Sequence, residues 1–288
     1  MNRFQKINQL LIIILMLNFI VAAVKITFGY VLNISSLASD GIHALSDGAA
    51  NIIGLIGTKF ASRVPDKEHP YGYHKYETAA ALVIGLMLFA LTFGIVYNAV
   101  TWFFAPKVPI IDISGLIGIS ATLIINFFIV IIEYRAGKRL GSEVLVTDSM
   151  HTRCDIFISL GVLLSLLLIK LGFPNVIDPI LSLIIACLIM LSGIKILRST
   201  FHVLLDKKAI DEKIIIDIIS KVDADILDIH KIRSRGKSNY IYIDFHLITH
   251  GNKTVNEVHA LSHRIERELS MKLQKDVEMF AHIEPYKD

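Results

Sequence analysis

The chain has 288 residues, 53% of them hydrophobic, with 29 basic and 26 acidic side chains and a formal charge of +3. Its mean hydropathy of +0.59 and its apolar content exceed those of a water-soluble domain, where about 45–50% is usual. So small a net charge, with no basic stripe interleaved with aromatics, argues against a nucleic-acid partner. Cys154 and Cys187 offer neither zinc-finger spacing nor a disulfide framework.

A bilayer-spanning helix needs about 20 mostly apolar residues, and six stretches qualify: 8–30, 34–60, 78–103, 110–134, 146–171 and 178–200. The first is too long for a signal peptide and is followed by further spans, so it reads as retained. Arg3, Lys6, Arg63, Lys67, Lys75, Arg135, Lys138, Arg139, Arg198, Lys207 and Lys208 fall on one side, against Lys107 and Lys170 on the other. Such a bias makes the basic side cytoplasmic and places both termini there. The expected architecture is a membrane α-helical bundle of six transmembrane helices over 1–205, in the cell (inner) membrane, followed by a cytoplasmic domain over 206–288.

The second and fifth spans open on one pattern. Asp40-Gly-Ile-His43-Ala-Leu-Ser-Asp47 and Asp148-Ser-Met-His151-Thr-Arg-Cys-Asp155 both read D-x-x-H-x-x-x-D. Residues three and four apart share a helix face, so each span carries an acid, an imidazole and a second acid along one stripe. Asp40 and Asp148, as the first acids, also read as N-caps. The pairs His43/Asp47 and His151/Asp155 are different, because a carboxylate deep in a bilayer costs about 2.5–3.5 kcal/mol unless something compensates it. Two imidazoles and two carboxylates suit tetrahedral Zn2+, and cobalt, nickel, iron or manganese also accept such donors. Cys154 lies about 100° around the helix from Asp155 and reads as packing.

Beyond residue 205 the pattern changes to helix, strand, strand, helix, strand. Residues 210–222 carry isoleucines at helical spacing, 240–248 alternate as a strand after a turn at 235–239, 256–273 are helical, and 277–283 close the domain. Histidines concentrate here, although far apart in sequence.

The run from Ser36 to Asp47, the loop Pro65-Asp-Lys-Glu-His69-Pro-Tyr-Gly72 ending in Glu77, and His151-Thr-Arg-Cys-Asp155 together resemble the cation diffusion facilitators over nearly the whole chain. The resemblance implies a homodimeric metal/proton antiporter that removes divalent ions from the cytoplasm, and not an enzyme. It implies a transport site of His43, Asp47, His151 and Asp155, with zinc as the expected ion because histidine stands at the first position. It implies a weaker loop site at Asp66 and His69, although the motif continues Gly72-Tyr73-His74-Lys75 where the family has Gly-His-Gly-Lys. It implies a salt bridge between Lys75 and Asp206. It implies a tail with a small α+β, ferredoxin- or metallochaperone-like αββαβ fold, in which His230, His246, His259, His282 and Glu284 hold structural or regulatory Zn2+. His250 and His263 have no such match. Fe2+, Mn2+, Co2+ and Cd2+ are the alternative cargoes. An intramembrane metalloenzyme and a metal sensor are the alternative functions; the first lacks an H-E-x-x-H motif and a separate base, and the second would not need two buried metal-binding stripes.

Overall fold

The structure is a computed structural model that describes residues 3–31, 35–104, 113–237 and 240–286, with the side chains of residues 25, 28–47 and 113–115 outside the described set. Lys107 and the side chains of Asp40, His43 and Asp47 therefore lie outside the described residues. The chain divides into two compact units, Met1–Phe201 and His202–Asp288.

Long helices make up the first unit: α1 (Arg3–Val31), α2 (Ser35–Ala61), α3 (Lys75–Phe104), α4 (Ile113–Leu140), α5 (Glu143–Lys170) and α6 (Ile177–Leu204). Among the described residues, five of them (α1, α3, α4, α5 and α6) are long and apolar enough to cross a membrane. α2 is as long as the others. Its first half, however, is diluted by Ser39, Asp40, His43, Ser46 and Asp47, the residues that make it interesting. Outward-facing isoleucines, leucines and phenylalanines stud the unit, as expected for a surface solvated by lipid.

Two buried clusters hold the helices together. Phe4, Ile7 and Leu11 of α1 meet Ala50 and Ala61 of α2, Ala80, Ala81 and Ile84 of α3, and Val144 and Leu145 of α5. Leu88 of α3, Cys154 of α5 and Ile189 and Ile196 of α6 form the second. Small residues set the approach distances, as in membrane helix pairs generally. A methyl group at Gly57 would sit 2.3 Å from the Ala80 Cβ, so α2 and α3 touch backbone to backbone there. Gly193 faces Phe89 across the α3–α6 seam, and Gly161 faces Ile185 across the α5–α6 seam.

The connection between α4 and α5 is much shorter than the sequence reading, which left 135–145 between spans. Only Gly141 and Ser142 intervene. Gly141 takes φ 59°, the left-handed conformation that closes a helix C-terminus cheaply only in glycine, and the Ser142 amide donates back to the Gly137 carbonyl at 2.9 Å. Ser142 is also the N-cap of α5, accepting from the Leu145 amide. Asp148 is therefore no N-cap; it lies almost two turns inside α5.

The second unit contains α7 (Glu212–Ile219), β1 (Ile226–Gly236), β2 (Tyr240–Thr249), α8 (Val255–Leu273) and β3 (Asp276–Pro285). α7 is shorter than the 210–222 expected, because Asp211 caps it at one end and Ser220 at the other. The sheet order is β1-β2-β3, with β1 antiparallel and β3 parallel to β2. Ile241, Ile243, Phe245 and Leu247 project from one face of β2 into a core with Ile215, Ile219, Leu261, Ile265 and Leu269. The alternate residues of β2, His246 among them, point to the opposite face. A capping box at Thr254 and Glu257 starts α8.

Candidate cation pathway and metal centre

In the helical unit, the described part of the expected transport site is on α5. His151 is buried and Asp155 is half-buried one turn further along the same stripe. Cys154 is buried and donates its thiol to the Met150 carbonyl at 3.1 Å, which occupies it in packing. A polar seam runs across the helices just beside this stripe. Asn18 of α1 donates to Asn51 of α2 at 3.2 Å, and Asn51 donates to the buried Asp148 carboxylate of α5. Thr152 is in contact with both the Asp148 carbonyl, at 3.2 Å, and Glu133 of α4, at 3.3 Å.

Asn51 follows Asp47 by one turn of α2, and Asp148 precedes His151 by about one turn of α5. Successive spans alternate in direction, so α2 and α5 run antiparallel. The Asn51–Asp148 hydrogen bond thus sits about one turn, or 5.4 Å, from the levels of both Asp47 and His151.

In the polar unit, the sheet register assembles what the sequence scatters. His230, His246 and His282 stand in one row across β1, β2 and β3, with His230 paired to His246 and His246 to His282. Glu284 lies two residues along β3 on the same face. Its Oε1 is 2.6 Å from His246 Nδ1 and 3.8 Å from His282 Nε2, and its Oε2 is 3.6 Å from His230 Nε2. The hydrogen bond from His246 holds the Glu284 carboxyl below the usual carboxylate range. His230, His246 and Glu284 each offer a donor atom within 4.8 Å of the other two. His230 Nδ1 meets Asp228 at 2.9 Å, the carboxylate–imidazole pairing that orients metal-binding histidines and leaves the other nitrogen as the donor. The donor chemistry fits Zn2+. His259 is exposed on α8, edge-on to His263 with ring centroids 4.5 Å apart, and stands outside this cluster.

These two polar centres, one within apolar helices and one on a small sheet, can be set against known families. The cation efflux transmembrane domain matches residues 11–205, and the cytoplasmic domain of cation efflux proteins matches residues 208–286. The chain belongs to the cation efflux family. A transporter of Methanocaldococcus jannaschii is 29% identical, over 97% of this chain and 99% of its own. The manganese efflux system protein MneP of Bacillus subtilis is 26% identical, over 99% and 98%. A cadmium, cobalt and zinc/H(+)-K(+) antiporter of Bacillus velezensis is 27% identical, over 85% and 78%. This cation efflux protein is therefore an integral membrane transporter with a small cytoplasmic domain.

In the transporter's loop after α2, Asp66 accepts from the amides of Glu68 and His69 at 3.0 and 2.8 Å and from the Tyr73 hydroxyl at 2.6 Å. The Tyr73 hydroxyl is the main reason its carboxyl lies below the ordinary value. His69 stacks on Tyr73 with centroids 4.2 Å apart, and its Nδ1 is 3.8 Å from Asp66 Oδ1. Tyr73 thus orders this turn with its hydroxyl. Asp206, in the polar unit, lies 3.4 Å from Arg235.

Three features escape a reading of sequence alone. Glu133 is a lone acid in an apolar run, with no periodic partner to announce it. Asp228 is two residues from His230, a spacing that points the same way only on a strand. Arg3 and Glu77 are 74 residues apart in sequence yet form an ion pair at 3.1 Å, with Glu77 fully buried. The one available signal was Leu140-Gly-Ser-Glu143, a helix stop followed by a helix start, which aligns the last two turns of α4 with the first two of α5.

Proposed function

We propose that this transporter is a homodimer that exports Zn2+ from the cytoplasm in exchange for protons, by alternating access to a site made of His43 and Asp47 on α2 and His151 and Asp155 on α5. The observation that carries this reading is the Asn51–Asp148 hydrogen bond, which supports a common level for the two stripes. With neutral imidazoles the four side chains carry two negative charges, which one dication neutralises. An empty site left at minus two in low dielectric takes up protons, and imidazoles accept them near neutral pH. Metal and protons then compete for one site, and exposing it alternately to each side exchanges one for the other. Manganese and cadmium, cobalt and zinc in the names of relatives make Mn2+, Fe2+, Co2+ and Cd2+ the competitors to test. The purified protein in liposomes should move Zn2+ faster than Cd2+, Fe2+ or Mn2+ and should do so faster when a pH gradient opposes the metal. Flux indifferent to the gradient would end the antiport reading.

The tail site serves as a cytoplasmic metal sensor in this account. His230, His246, His282 and Glu284 take Zn2+, and His259, outside the cluster in its own chain, completes the site of a second copy. An Asp66–His69 loop site belongs to the same reading as a secondary feature. Glu284→Ala in the full-length protein should abolish the tail's zinc uptake in calorimetry and make the dimer insensitive to chelator. Retained binding at wild-type stoichiometry would remove the tail from the mechanism. Acidification should also release this zinc, because protons compete for the imidazoles.

A further inference from the structure

Glu133 is completely buried, 0% exposed, and comes from a helix to which no ligand has been assigned. Its Oε2 is 3.3 Å from the Thr152 hydroxyl, whereas Oε1, among the described residues, has no hydrogen-bond partner. The carboxyl lies within hydrogen-bonding reach of the Asp148 carboxyl and in the field of Asp155. Asp148 is itself 2% exposed and takes a hydrogen bond from Asn51. Two carboxylates facing one another are both acceptors, so something positive belongs between them. The two-residue Gly141–Ser142 turn holds α4 and α5 in the register that produces this encounter, so the pairing is built in.

We propose that Glu133 and Asp148, with the Thr152 hydroxyl beside them and the Asn51 amide N–H holding Asp148 in place, form an oxygen-lined subsite that holds the divalent cation about one helical turn before His151 and about two before Asp155. The inference rests on the transport reading above and adds a third helix to it. The subsite lies on the α4–α5-turn side of the ligand stripe, the side that the basic loops mark as cytoplasmic. A cation leaving the cytoplasm meets oxygen donors first and imidazoles second. An all-oxygen set favours harder ions such as Mn2+ over Zn2+, whereas the mixed nitrogen and oxygen set beyond it favours Zn2+. Glu133 is therefore a selectivity residue as well as a staging point.

Glu133→Gln separates this reading from the alternative in which the two carboxyls simply share a proton. Glutamine mimics a protonated glutamate and keeps an oxygen for Thr152, so a proton-sharing pair would lose nothing. In proteoliposomes of the full-length protein, Glu133→Gln should raise the KM for Mn2+ by about tenfold or more, the scale seen when groups next to a metal are removed. It should raise the KM for Zn2+ less and leave kcat within about twofold. Unchanged KM for both ions overturns the subsite, and so does a fall in kcat alone. If Glu133→Gln does not insert, Glu133→Asp gives the same readout. It withdraws the charge by one methylene and should raise the Mn2+ KM severalfold, and no change again overturns the proposal. Wild-type protein that moves neither metal would instead defeat the transport reading itself.

Discussion

Replacing Asp155 by alanine should abolish metal flux and leave a folded, membrane-inserted protein. The loss should exceed about 100-fold, because even a group that merely orients a ligand is worth about 10–100-fold in metal affinity, and the account makes Asp155 a direct ligand. Stability should move the other way. A carboxylate half-buried among apolar helices is costly, and replacing such groups with apolar ones is often neutral or stabilising. Asp155→Ala protein should therefore melt in detergent no lower than wild type while carrying no Zn2+. Flux above about a tenth of wild type would contradict a ligand role, since that loss is no more than a supporting group produces. A mutant that fails to insert would show a structural role instead.

Arg3→Ala has the opposite signature, and its effect on folding should be the largest of any single substitution in the helical unit. The Arg3 guanidinium is a clamp. Nη2 reaches both Glu77 oxygens, at 3.3 and 3.1 Å, and the Gly141 carbonyl at 2.7 Å, while Nε donates to the Leu140 carbonyl at 2.6 Å. Ser142 donates its hydroxyl to Glu77 at 2.7 Å. One side chain thus ties the start of α1 to the start of α3 and to the end of α4, and it satisfies helix-terminal carbonyls that have no partner within α4. Glu77 is fully buried. Removing the arginine strands that charge, and breaking a buried pair from one side costs about 3–5 kcal/mol. Thermal unfolding of Arg3→Ala should fall well below wild type, with flux lost because the α4–α5 turn is no longer pinned. Arg3→Lys should recover little, since a single ammonium cannot reach three acceptors in a plane. Unfolding of Arg3→Ala at the wild-type temperature would show that the clamp is incidental.

How far the sequence reached depended on the range of the interactions involved. Hydropathy is a local property, so α1, α3, α4, α5 and α6 could be read directly, and their ends missed by a few residues where a cap decided the matter. α2 is readable as a helix from its length, although Ser39, Asp40, His43, Ser46 and Asp47 interrupt its apolar run. The His–Asp repeat was visible because helical periodicity puts i and i+4 on one face without any help from tertiary structure. Glu133 was not visible. Its meaning depends on Gly141 and Ser142 reversing the chain within two residues, which brings it against Asp148 and Thr152. The tail histidines are intermediate. Positions 230, 246 and 282 form a row only once the three strands adopt their register, so family resemblance pointed to them and spacing did not. Asp228 was beyond both, because its role lies in its contact with His230.

The claim on which the rest depends is that one dication is held by two imidazoles and two carboxylates drawn from α2 and α5. X-ray absorption at the zinc edge tests it most directly, on full-length protein carrying Glu284→Ala so that the tail contributes no metal. Four nitrogen and oxygen neighbours at about 2.0–2.1 Å are expected, two of them imidazole, with their loss when Asp155→Ala is added. A sulfur neighbour at about 2.3 Å, or the same spectrum with and without Asp155, would contradict it.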